Sequence, residues 1–220
     1  GAIEYRRLVE RVETKDGRAV GVVVDGELRP FDAVIVTQDT RVAIDALFDP
    51  PIREEWAERL RANVHPILDT FVSLGIRADL SDVPECVGFP LDEPVFCGDQ
   101  RHDALAFNNY AAYEGYAPEG CTAMTLFMNG DTYDWWAARR ADGTYAQEKR
   151  KLAEAVIAAL SRKYPQIEGK VEVWDVATPL TYERYLRSYK GSWMSNMLPG
   201  EKQTSYPAKP AGIEGVYFAG

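Results

Sequence analysis

Residues 171–193 read Val-Glu-Val-Trp-Asp-Val-Ala-Thr-Pro-Leu-Thr-Tyr-Glu-Arg-Tyr-Leu-Arg-Ser-Tyr-Lys-Gly-Ser-Trp, and this stretch leaves the chain few folds to choose from. Val171, Val173 and Asp175 alternate with Glu172, Trp174 and Val176, which is the period of a strand. Thr178 stops the strand and Pro179 starts a helix: the threonine oxygen accepts from first-turn N–H groups, and proline lacks only an N–H that would go unpaired there. Tyr182, Tyr185 and Tyr189 follow at spacings of three and four, which predicts one helical face carrying three phenols. Gly191-Ser192-Trp193 then closes the helix in a glycine elbow. A strand feeding an aromatic-faced helix that turns back on a glycine gathers flat side chains, and such a wall suits a flat ligand.

The rest of the chain alternates strands and helices around that element. From Ile3 to Val24 the pattern is β-rich, with hairpin signals at Lys15-Asp16-Gly17 and Asp25-Gly26. Asp32 to Thr37 reads as a buried strand. Asp39 and Thr40 cap a helix over 41–48 that stops at Asp49-Pro50-Pro51, and an amphipathic helix over 52–62 presents Trp56 and Leu60 on one side. The period then turns to two: Thr70, Val72, Leu74 and Ile76 alternate with Phe71, Ser73 and Gly75, predicting a strand of about ten residues, or about 33 Å. Short strands near 86–89, 95–97, 104–110 and 121–128 follow, with turns at Asp82-Val83-Pro84 and Asp92-Glu93-Pro94. Thr144-x-x-Gln147 is a capping box, and Leu152, Val156, Leu160 and Tyr164 recur every four residues until Pro165, predicting one long helix. Short connections between strands imply a mixed, mostly antiparallel sheet covered by helices, an α+β fold.

The run Ala177-Thr-Pro-Leu-Thr-Tyr-Glu-Arg-Tyr185, Gly191-Ser192-Trp193 after it and the final Gly215-Val-Tyr-Phe-Ala-Gly220 resemble the last part of the FAD-dependent phytoene desaturase, carotenoid isomerase and retinol saturase group of the amine-oxidase-like flavoproteins. Val9, Val12, Gly21 and Asp32 stand where that family's early strand pattern has them. The resemblance implies the substrate domain of an FAD-linked oxidoreductase over 40–212, with incomplete flavin-domain strands over 1–39 and a terminal flavin-domain strand over 213–220. It implies cofactor contacts at Val9, whose counterpart offers its backbone to adenine, at Gly191 and Trp193 near the flavin ring, and at Phe218, Ala219 and Gly220. The family's Gly-x-Gly-x-x-Gly fingerprint does not occur, so the expectation is a piece of a longer protein that by itself binds FAD weakly or not at all, for want of the helix N-terminus that holds the pyrophosphate.

Other chemistries find little purchase. The two histidines are His65, before a proline, and His102 in Asp99-Gln-Arg-His-Asp103; the second spacing matches no metal motif and reads as a surface turn, and no Gly-x-Ser-x-Gly elbow or phosphate loop occurs. Cys86, Cys97 and Cys121 are odd in number and form no Cys-x-x-Cys, so they read as reduced thiols. With 34 acidic against 25 basic residues, a net charge of −9, nucleic acid is excluded as a partner. No apolar run reaches the roughly 18 residues of a membrane span and no leader precedes the first strand, so the expectation is a soluble, cytoplasmic piece whose full-length form can touch a membrane peripherally.

A flavin carries redox chemistry itself, so a chain poor in histidines is no obstacle to a flavoenzyme. Tyr110, Tyr113, Tyr116, Trp135, Trp136, Tyr182 and Tyr185 are then the candidate substrate-pocket residues, and apolar walls of this kind favour a hydrophobic substrate such as a polyene. Catalytic side chains are not assignable from the residues. Three readings stay open: a desaturase or isomerase of an isoprenoid-like substrate, a flavin amine oxidase, and a non-catalytic lipid- or prenyl-binding escort.

Overall fold

A computed structural model describes residues 1–196, 200 and 206–219. In chain order its elements begin with β1 (Val9–Lys15), β2 (Arg18–Val24), β3 (Glu27–Pro30), β4 (Val34–Val36), α1 (Thr40–Ala46), α2 (Glu55–Asn63) and β5 (His65–Ile67). There follow β6 (Asp69–Ile76), β7 (Cys86–Cys97), β8 (Gln100–Asn109), β9 (Thr122–Asn129), α3 (Tyr133–Ala141) and α4 (Tyr145–Lys163). The last are β10 (Val171–Ala177), α5 (Pro179–Leu186), β11 (Met194–Asn196) and β12 (Val216–Phe218). The fold is α+β and its ladders are mostly antiparallel, as the alternation predicts. Two compact units form, one from Gly1–Pro66, Leu186–Tyr189 and Ser195–Gly220, the other from Ile67–Tyr185 and Lys190–Met194. Residues 40–66, which the sequence reading placed with the substrate domain, thus pack with the N-terminal strands.

In the first unit β1, β2 and β3 make an antiparallel meander. Both of its hairpins turn on left-handed backbone, Asp16 and Gly17 at φ 51° and 75°, Asp25 and Gly26 at φ 54° and 77°, as two-residue hairpin loops require. β12 lies parallel to β4. The N–H of Ala19 donates to the Glu214 carbonyl and that of Val34 to Gly215, so the C-terminal strand is stitched to early residues. Val12, Ala19, Val36, Ile44, Phe48, Trp56, Val216 and Phe218 form the core.

The second unit is a five-stranded sheet in the order β10-β6-β9-β8-β7. Val72, Leu74, Ile76, Met124, Leu126 and Phe107 point to one face and share a core with Leu152, Val156 and Leu160 of α4 and Trp136 of α3. Residues 86–97 form one irregular strand rather than two short ones with a turn between. The ladder breaks between Pro90 and Val95, where proline has no N–H to donate, and resumes. His102 lies within β8, not in a surface turn.

Two capping expectations fail because another side chain takes the hydroxyl, and one helix ends earlier than its spacing predicts. Thr144 has helical backbone and caps nothing; its hydroxyl is taken by Asp142 Oδ1 at 2.5 Å. The Thr178 hydroxyl meets the Tyr145 hydroxyl at 2.6 Å, and the Thr178 carbonyl instead accepts from Thr181 and Tyr182. α5 stops at Leu186, because Arg187 and Lys190 adopt left-handed backbone, both at φ 52°. Tyr189 therefore leaves the face of Tyr182 and Tyr185: its N–H donates to Asp39 Oδ2, and the Arg41 guanidinium lies 3.7 Å from its ring centre.

Candidate functional site

Strand alternation gives the sheet of the second unit two unlike faces. One is covered by α3 and α4. On the other, Phe71, Ser73 and Gly75 of β6 stand beside Phe127, Thr125 and Ala123 of β9, and beside Ala177, Asp175 and Val173 of β10. Ala106 and Asn108 of β8 continue the Phe127 and Thr125 rows. A groove of about 670 Å³ runs along this face, lined by Ser73, Gly75, Ala123, Thr125, Val173 and the loop residues Tyr110 and Tyr116, among others. Small side chains make the depression. A Cβ at Gly75 would lie 2.5 Å from Val173 Cγ2, so a larger residue there would push the exposed Val173 side chain aside.

Aromatic rings close the groove region at one end. Tyr110 stacks on Tyr116 at 5.1 Å, and Tyr113 lies 6.0 Å and 5.5 Å from the two. The Tyr113 hydroxyl donates to Glu85 at 3.3 Å, and the Glu85 charge raises the phenol above its ordinary pKa. These three candidate pocket residues are brought together, although 113 sits outside the groove lining.

A second aromatic group stands at the start of β6. The Phe71 ring lies 5.6 Å from Tyr182 and 6.3 Å from Trp193, edge-on to the indole at 84°. Trp193 Nε1 donates to Asp69 Oδ2 at 2.6 Å. Burial, and after it the charges of Asp69 and Asp175, hold the Tyr182 phenol above its ordinary pKa, so it stays protonated. Trp193 comes into reach because Gly191 lets the chain turn against α5: a Cβ at 191 would fall 1.8 Å from the Pro179 carbonyl oxygen.

The remaining pocket candidates stand apart from both groups. Trp136 is 1% exposed in the core between α3 and the sheet, with Trp135 4.8 Å away and packed on Gly98. Tyr185 is 74% exposed under the Arg184 guanidinium. Beside α5, the Tyr133 hydroxyl donates to Glu183 at 2.7 Å; burial and that carboxylate push the phenol up to about 12. Burial likewise pushes the Cys97 thiol up to about 11. No group of three or more His, Cys, Asp or Glu residues among those described could hold a metal ion; His102 is half-buried, and burial lowers its pKa despite the Asp103 charge.

Sequence reasoning missed Asp69, Phe71, Ser73 and Gly75. The signal for the last three was the alternation of β6 itself, which assigns odd-numbered positions to the face away from the helices. Asp69 shares that parity, but nothing in the pattern marks its carboxylate as buried or pairs it with Trp193.

Of the cofactor candidates, Val9 is half-buried at a bulge in β1. The Phe218 ring packs on Phe48, Trp56 and Tyr206, and its N–H donates to the Ala208 carbonyl. Ala219 is small and exposed, its N–H bonded to the Val36 carbonyl. Gly220 lies outside the described residues. Parallel sheets receive nucleotides beyond the carboxyl ends of their strands. A parallel β4–β12 pair ending in Val36 and the exposed Ala219 fits that placement, with no bulky side chain at 219 to obstruct it.

The family model for flavin containing amine oxidoreductases matches residues 1–220. Prolycopene isomerase, chloroplastic, of Daucus carota is 24% identical over 99% of this chain and 36% of its own length; that of Arabidopsis thaliana is 22% identical over 99% and 37%. The chain therefore spans a little over a third of the length of these relatives. Among solved structures, putrescine oxidase bound to putrescine superposes with a TM-score of 0.56 at 14% identity, covering 97% of this chain and 42% of that one. Cyclohexylamine oxidase from Brevibacterium oxydans gives 0.53 at 15%, covering 96% and 42%. These two likenesses speak for the fold alone, while the family match spans every residue: the chain belongs to the flavin containing amine oxidoreductases.

Proposed function

We propose that the second unit is the substrate-binding part of an FAD-dependent oxidoreductase that removes hydride from a hydrophobic, isoprenoid-like substrate, as a desaturase or isomerase. The observation that carries this reading is the sheet face opposite α3 and α4, small in its middle and aromatic at its ends. From Phe71 to Gly75 the strand advances four residues, or about 13 Å, so the face offers an elongated ligand a track along the strands rather than a compact hole. Burying about 300 Å² of apolar ligand surface there would contribute about 7 kcal/mol before the cost of association.

FAD, when bound, supplies the hydride acceptor. The chain's own residues supply shape and dryness. Phe71, Tyr182 and Trp193 offer flat walls, and Tyr182, held protonated, keeps a neutral hydroxyl rather than a charge against an apolar ligand. The likeness to prolycopene isomerases supports a polyene substrate. One observation favours a second reading, the flavin amine oxidase: Asp175 lines the groove, exposed and without an ion pair among the described residues, and a carboxylate beside aromatic rings attracts an ammonium group.

The test uses the full-length, FAD-loaded protein under anaerobic conditions, offered phytoene, a cis-configured polyene, and putrescine in turn. A desaturase bleaches the flavin as the polyene's absorbance moves to longer wavelength; an isomerase alters the polyene's spectrum and ends with oxidised flavin. Bleaching by the amine, with both polyenes unchanged, would reverse the order of the two readings.

A further inference from the structure

Trp193 is 47% exposed, yet its N–H is bound by a carboxylate that is 3% exposed. Stability does not account for that pairing. An indole N–H at the surface is satisfied by water without help, whereas a carboxylate withdrawn from water is destabilising unless hydrogen bonds compensate it. Asp69 receives one side-chain hydrogen bond, from Trp193, and its Oδ1 is buried with no partner among the described residues. A hydrophobic or hydroxyl side chain would suit the first position of β6 better. Locally unfavourable choices of this kind mark places held for function.

The geometry shows what is held. Phe71 meets the indole edge-on at 6.3 Å, Asp69 grips its N–H at 2.6 Å, and Gly191, pressed on the Pro179 carbonyl, sets the path of the chain just before it. Three points from β6 and the elbow therefore fix a ring that half faces solvent. We propose that Asp69 is a positioning residue: it orients Trp193 as the end wall of the ligand face, so that the apolar ligand is held in one register along β6. The inference rests on the ligand face argued above and adds the residue that sets its end.

The experiment is a set of substitutions in the full-length, FAD-loaded protein labelled with 5-fluorotryptophan, the Trp193 resonance being assigned by its loss in Trp193→Phe. Geranylgeraniol is the probe ligand, its binding followed through the flavin absorbance. Asp69→Leu is expected to keep or raise the melting temperature, to move and broaden the Trp193 resonance, and to weaken geranylgeraniol about tenfold. Asp69→Asn retains an acceptor oxygen and is expected to restore both resonance and binding to within about threefold. In a Trp193→Phe background, Asp69→Leu should change binding no further.

Unaltered binding and an unmoved resonance in a folded Asp69→Leu protein would overturn the proposal. So would loss of folding in both Asp69 variants while Trp193→Phe folds normally, since Asp69 would then serve the sheet and not the indole. A wild-type protein blind to geranylgeraniol would refute the ligand face itself, whereas a Trp193 resonance that still moves in Asp69→Leu would show that the grip on the ring survives that failure.

Discussion

If the sheet face opposite α3 and α4 is where the substrate lies, filling its middle should weaken binding strongly without harming the fold. Ala123 is the position to fill. It is half-buried on β9, pairs with Gly75 across the sheet, and lines the groove on the side opposite the helix-covered core. A phenyl group there would occupy the depression that Gly75 and Ala123 leave and deny a ligand about 100 Å² of apolar contact. At about 25 cal/mol per Å² the loss is about 2.5 kcal/mol, or about 70-fold in affinity. Since the ring enters open space, the melting temperature should move by no more than about 2 °C in either direction. Ala158→Phe, on the exposed side of α4, is the control and should affect neither quantity. Titrating the FAD-loaded full-length protein with geranylgeraniol, alongside thermal unfolding, measures both. An Ala123→Phe protein that is stable and binds as tightly as wild type would refute the assignment of this face, because no ligand of that size lying across Ser73, Gly75 and Thr125 could avoid the ring.

Two further substitutions probe the scaffold. Gly191→Ala puts a Cβ 1.8 Å from the Pro179 carbonyl oxygen at φ 70°, so the left-handed strain of about 1–2 kcal/mol adds to a backbone displacement, and a total loss above about 3 kcal/mol is expected in denaturant unfolding; a loss under about 1 kcal/mol would mean that the elbow is not held against α5. Glu54 accepts from Trp56 Nε1 at 2.7 Å and from the N–H groups of Ala211 and Gly212, each at 3.1 Å. Burial by itself would raise its pKa, but these three bonds outweigh it and hold the carboxyl below its ordinary value of 4.5. A group depressed in the folded state stabilises above its unfolded value and loses that contribution as pH falls through the folded one. Glu54→Gln should therefore cost about 1 kcal/mol near neutrality, and its stability gap from wild type should narrow as pH falls below the ordinary value of 4.5; a gap that persists undiminished in acid would refute the linkage.

Much of the fold was legible because its signals are local. The alternation of Thr70 to Ile76, the four-residue recurrence from Leu152 to Tyr164 and the two Asp-Gly turns each depend on neighbours within one element, and each appears as read. Where another side chain competed for the same hydroxyl, the pattern could not say which partner would win. Thr144 lost its capping role to Asp142, two residues away, and Thr178 lost its own to Tyr145, which lies 33 positions upstream. The aromatic residues show the same limit more sharply. Composition and spacing singled out seven rings as one pocket, but a tryptophan on a helix and a tyrosine in a loop carry no mark of which face of a sheet they will meet. Trp136 sinks among Leu and Met side chains while Tyr110 and Tyr116 rise onto the other side. The face is decided by strand parity, which is local, and by the register between strands, which is not. Phe71 could have been found from parity alone. Asp69 could not: its partner stands 124 residues away, and a lone carboxylate at a strand start looks, in sequence, like any solvated end. Its meaning comes only from being buried where a charge is unwelcome, next to a ring that did not need it.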